Sequence, residues 1–62
     1  MKRSKFLKYL NQHNCVLYRE GRKHPVFINL TTGKRTTIPR HTEIDDDFCK
    51  DICKQLGIPP IN

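Results

Sequence analysis

Three side chains in this sequence can exchange protons near neutral pH: His13, His24 and His41. An imidazole with an ordinary pKa of about 6.5 is suited to that work. His24 follows Arg22 and Lys23, and His41 follows Arg40, so two of the three imidazoles stand beside cations that can contact a phosphate. A proton-transfer group, a cationic clamp and an aligned phosphate are what phosphodiester chemistry needs, and no metal is required for it. His13 falls at the end of the first helical pattern, where the helix dipole favours a cation, and is read as structural.

Those residues must be held by a small fold. Sixty-two residues make one domain, 1–62, in which about 60% of the unfolded surface can be buried. A core this thin leaves no room for a deep pocket, and a shallow site suits a polymer better than a small metabolite. Ser4 is a candidate N-cap for a first helix with Phe6, Leu7 and Leu10 on one stripe, running to about Gln12 or His13. Cys15–Arg19, Pro25–Leu30 and Arg35–Ile38 carry strand-forming residues, separated by the glycine-containing turns Glu20–Lys23 and Thr31–Lys34. Asp45, Asp46 and Asp47 crowd negative charge where a second helix begins and need no ligand to explain them. Phe48, Cys49, Ile52, Cys53 and Leu56 form its apolar stripe, and Gly57 with Pro59 and Pro60 ends it. The expected fold is α+β in the order α-β-β-β-α, a three-stranded antiparallel meander with two helices on one face.

Hairpin geometry bears on the histidines. A turn centred on Thr32-Gly33 pairs Leu30 with Arg35 and carries His24 opposite His41, with Arg40 adjacent to both. Strand alternation also gives His24 the parity of Val26, Ile28 and Leu30, an apolar set that could face the helices. On the residues alone, therefore, His24 is either a proton-transfer group or a rim histidine packed over the core edge. Tyr18 and Phe27 could stack on exposed bases, but in a chain with 8% aromatic residues a packing role is favoured for both.

Charge points to the partner. The formal net charge is +6, and it is unevenly spread. Through residue 42 there are ten Lys and Arg and one acid, Glu20, whereas from Glu43 onward five acids face only Lys50 and Lys54. A polyanion should bind the basic part. No apolar run approaches the roughly 20 residues of a membrane span, no secretory signal is legible, and the expected location is the cytoplasm. Three cysteines without such a signal argue for reduced thiols, with Cys49 and Cys53 behaving as small core hydrophobes. No ligand spacing for zinc or another metal is present, and no cofactor is implied.

Four segments together resemble the HicA family of toxins. They are the amino-terminal helix, the stretch Arg19-Glu20-Gly21-Arg22-Lys23-His24-Pro25-Val26-Phe27, the strand end Thr36-Thr37-Ile38-Pro39-Arg40-His41, and Ile52-Cys53-Lys54-Gln55-Leu56-Gly57-Ile58. His24 stands three residues before aromatic Phe27, as the family's histidine does, while the turn reads Gly-x-x-His where the common family form reads Gly-Ser-His. The resemblance implies a double-stranded-RNA-binding-like fold, metal-independent cleavage of mRNA, and neutralisation by a HicB-like antitoxin. It further implies His24 as general acid or base, to which the hairpin geometry above adds Arg40 and His41 as possible auxiliaries. Arg22, Lys23, Lys34, Arg35, Lys5 and Lys8 are then the candidate RNA contacts. In such chemistry the ribose 2′-hydroxyl is the nucleophile, and the protein supplies proton transfer and positive charge. Two other readings keep the same surface: a non-catalytic RNA-binding module, and a degenerate toxin that only engages its antitoxin.

Overall fold

A computed structural model describes residues 1–61. Its elements are α1 (Arg3–Gln12), β1 (Cys15–Glu20), β2 (Pro25–Asn29), β3 (Arg35–Thr37) and α2 (Asp46–Leu56). The three strands form one antiparallel sheet in the order β1-β2-β3. This is the expected α-β-β-β-α arrangement.

Both helices bury their apolar stripes in one core on one side of the sheet. Phe6 and Leu10 come from α1, Cys15 and Phe27 from the sheet, Ile38 and Ile44 from the segment after β3, and Cys49, Ile52, Cys53 and Leu56 from α2. Burying each large aliphatic or aromatic side chain contributes about 1.5–3 kcal/mol. Phe48, expected on the α2 stripe, lies at its edge and remains 41% exposed.

Helix α2 begins and ends as its sequence demands. The Asp45 carboxylate accepts from the Phe48 N–H, and Asp46 and Asp47 occupy the first turn. Gly57 takes a left-handed φ of 75°, and Gly57 N–H and Ile58 N–H return to the carbonyls of Lys54 and Cys53. Helix α1 starts differently from expectation. Its N-cap position is Lys2, no side chain caps it, and Ser4 lies inside the first turn. The chain holds this end instead: Arg3 N–H donates to Thr42 carbonyl at 2.8 Å, and Lys2 and Glu43 form an antiparallel bridge. A local cap is redundant where a neighbouring segment supplies the partner.

The second hairpin departs from the expected register. Val26, Phe27 and Ile28 pair with Thr37, Thr36 and Arg35, so Arg35 faces Ile28 and not Leu30. The reason is Asn29. Its N–H donates to Lys34 carbonyl at 2.8 Å, its carbonyl accepts from Gly33 N–H at 2.7 Å, and its side-chain oxygen accepts from Thr31 N–H at 2.9 Å. These bonds close a four-residue loop, Leu30 to Gly33, with Gly33 at φ 79°, where the sequence alone suggests a two-residue turn. The shift is two residues, so each side chain keeps its face.

Facing is also settled. Along β2 the buried positions are Pro25, Phe27 and Asn29, while Val26 and Ile28 are half-buried on the opposite face and Leu30 is exposed. The apolar set that could have drawn His24 toward the helices thus points away from them. The polar Asn29 disguised the core-facing parity.

Cys15, Cys49 and Cys53 are free and buried. Burial pushes all three thiols above their ordinary value, chiefly by desolvating the thiolate. A thiol-specific reagent at neutral pH should therefore modify the native protein far more slowly than protein unfolded in denaturant, and equal rates would contradict the packing described. Neutral thiols contribute stability that is fully present below the ordinary thiol pKa and is lost as pH rises above it, so thermal stability should fall on the alkaline side.

Candidate functional site

The His24 turn is built from both ends. β1 carries an irregularity between Leu17 and Arg19, which leaves Tyr18 as the extra residue and brings Glu20 opposite Pro25. The turn then folds back tightly enough that a Cβ at Gly21 would lie 2.2 Å from the His24 carbonyl oxygen. Only glycine fits there. On the far side Pro25, buried and first in its strand, accepts from Ile38 N–H at 3.1 Å, so β2 starts where a missing proline N–H costs no ladder bond.

Arg22, Lys23 and His24 stand exposed on this turn. Arg40 reaches it from the segment after β3. Its Nη1 donates to Lys23 carbonyl at 3.2 Å, and its Nη2 pairs with the Glu20 carboxylate. The backbone that carries Arg40 is itself anchored, since Arg3 Nε donates to Pro39 carbonyl at 2.9 Å. One guanidinium, one carboxylate, one imidazole and two further cations thus share one end of the sheet.

Other expected contacts are distributed. Extending the β2-β3 register sets His24 opposite Pro39, so His41 lies two residues beyond the position that the shorter turn implied, exposed on the segment leading to Thr42. Lys34 sits at the opposite end of the sheet, its side chain against Gly57 at the α2 C-terminus, where the dipole favours a cation. Arg35 lies on the face away from the helices with its guanidinium 5.0 Å from the Tyr18 ring centroid. Lys5 and Lys8 are exposed on α1.

Two aromatic expectations separate. Phe27 is core, but Tyr18 is 49% exposed. It is the bulged residue of β1 and has no partner position on β2. His13, at the C-terminal cap of α1, packs on the Tyr9 ring with centroids 4.5 Å apart.

A concavity lined by Met1, Lys2, Lys5, Glu43 and Asp46 includes none of the turn's residues, and Arg22, Lys23 and His24 are open to solvent. Among the described residues no group of three or more His, Cys, Asp or Glu could hold a metal ion. No helix among them is long and apolar enough to cross a membrane. Sequence reasoning missed Glu20 as part of this cluster, although its isolation as the lone acid of a basic stretch was a usable signal.

The family model described as HicA toxin of bacterial toxin-antitoxin matches residues 3–58. The chain belongs to the HicA toxin family. The match spans the helices, the sheet and the histidine turn together. No curated protein and no solved structure matches the chain significantly.

Proposed function

We propose that this HicA-family protein is an endoribonuclease that cleaves mRNA without a metal ion, with His24 as general acid or base. Arg40, Arg22 and Lys23 hold the phosphate beside it. The observation that carries this reading is the exposed His24, fixed on a turn only glycine can make and flanked by the anchored Arg40 guanidinium. In this reading the substrate brings its own nucleophile, so the protein needs to supply only proton transfer, charge stabilisation of the phosphorane-like transition state, and alignment. Its site of action is the cytoplasm, where mRNA is found. A HicB-like antitoxin is the partner that neutralises it, and an acidic surface laid over the basic turn is the simplest way to do so quickly.

The test is incubation of the purified protein with single-stranded RNA in excess EDTA. Cleavage should persist with the chelator present. It should also weaken as salt rises, because each neutralised phosphate contributes a slope of about −0.7 to log K against log salt for single strands. Intact RNA under all conditions, or cleavage restored only by added metal, overturns the proposal.

A further inference from the structure

Cleavage through the 2′-hydroxyl takes two proton transfers, one away from the nucleophile and one to the departing 5′-oxygen. A single imidazole begins the reaction in one protonation state and can perform only one of them at once. The register leaves His41 without a place opposite His24. Another titratable group stands at the turn.

We propose that Glu20 is the general base and His24 the general acid, with the Arg40 guanidinium joining Glu20 to the turn that carries His24; this rests on the ribonuclease reading above. The two arms of that guanidinium fix the geometry. Nη2 holds the Glu20 carboxylate, and Nη1 holds the Lys23 carbonyl, which belongs to the peptide bond leading into His24. Glu20 is thereby tied, on adjacent arms of one rigid plane, to the backbone that carries the imidazole. The strand register keeps Glu20 beside this turn, as the partner of Pro25. The carboxylate is 62% exposed, so a ribose hydroxyl can reach it.

Two considerations favour chemistry over stability. An exposed ion pair contributes only about 0–1 kcal/mol. A lone carboxylate amid Arg19, Arg22, Lys23 and Arg40 also opposes polyanion binding, which is a poor arrangement for a surface whose task ends at holding RNA.

The step balances. The Glu20 carboxylate accepts the 2′-hydroxyl proton as O2′ bonds to phosphorus, the P–O5′ bond breaks, and the His24 imidazolium gives its proton to O5′. The products are a 2′,3′-cyclic phosphate and a 5′-hydroxyl. Protonation removes the charge that Glu20 directs at Arg40, so the guanidinium becomes free to serve the negative charge growing on the non-bridging oxygens. Base and clamp are thus coupled, and exchange with water returns both side chains to their starting states.

Glu20→Gln is the informative variant, because its carboxamide oxygen can still accept from Arg40 but is not a base at neutral pH. With natural RNA its cleavage rate should fall by about 10²- to 10⁴-fold, while its melting temperature and its binding of a 2′-deoxy oligonucleotide stay near wild type. A second substrate assigns the roles. RNA with sulfur replacing the scissile 5′-oxygen has a leaving group that needs no acid, so it should restore cleavage by His24→Ala and leave Glu20→Gln impaired. Wild-type rates for Glu20→Gln would overturn the proposal: with Glu20→Ala impaired Glu20 would only position Arg40, and with it unimpaired Glu20 would have no part in cleavage. Rescue of Glu20→Gln by the sulfur substrate would overturn it also, by making Glu20 the acid. If the wild-type protein cleaves neither substrate, the ribonuclease reading itself fails and this assignment falls with it.

Discussion

Replacing His24 with alanine should reduce RNA cleavage by about 10²- to 10⁴-fold, the usual contribution of a proton-transfer group, and relieve growth arrest in cells. The fold should be untouched. His24 is exposed and lies outside the strands, so its truncation removes little packing and should change stability by no more than about 0.5 kcal/mol. RNA affinity should also largely survive, because phosphate binding is shared among several cations. The alternative reading, a rim histidine packed over the core edge, makes the reverse prediction: a lower melting temperature, with activity lost in proportion to folded protein. The burial pattern of β2 already disfavours that geometry, because its core-facing residues are Pro25, Phe27 and Asn29. Measuring melting temperature, RNA binding and cleavage on one His24→Ala preparation separates the outcomes. Cleavage at the wild-type rate by a folded variant removes His24 from the mechanism.

What could be read in the sequence was whatever depends on neighbours within a few residues. The α2 boundaries follow from Asp45 and Gly57, whose cap and left-handed turn are local properties. The element order follows from alternating patterns and turn residues for the same reason. The start of α1 was misplaced because its partner, Thr42 carbonyl, is distant in the chain. Tyr18 was assigned to packing from the low aromatic content, and composition carries no sign of the β-bulge that leaves it 49% exposed.

The candidate site divides along the same line. His24 and its flanking cations are contiguous in sequence and could be singled out there. Arg40 could be named as a phosphate contact, but its convergence on Glu20 and Lys23 depends on how β3 runs beside β2. Lys34 and Arg35, similar to Arg22 and Lys23 in composition, are carried elsewhere by that same geometry. Lys34 goes to the end of α2, and Arg35 to the Tyr18 ring. Net charge suggests the partner's chemistry, while register decides which charges gather at the histidine turn.

Register in turn depends on Asn29, and Asn29→Ala should cost about 2–4 kcal/mol of stability. The side chain is 2% exposed and uses both ends of its amide: Nδ2 donates to Leu56 carbonyl at 2.8 Å, and Oδ1 accepts from Thr31 N–H at 2.9 Å. The first bond satisfies a carbonyl in the last turn of α2, which has no partner within the helix. The second shapes the four-residue loop. Truncation leaves the buried carbonyl unpaired, at about 1–3 kcal/mol, and loses the loop bond, worth about 1 kcal/mol. A domain of this size has roughly 3–9 kcal/mol in total, so the melting temperature should drop by on the order of 15–30 °C. Asn29→Asp distinguishes the two ends. Its carboxylate can still accept from Thr31 but cannot donate to Leu56, and it buries a charge, so it should be no more stable than the alanine variant. Both variants should lose cleavage only as they lose folded protein, the opposite of His24→Ala. Near-wild-type melting of Asn29→Ala would show that the loop and the α2 terminus are held together by something other than this amide.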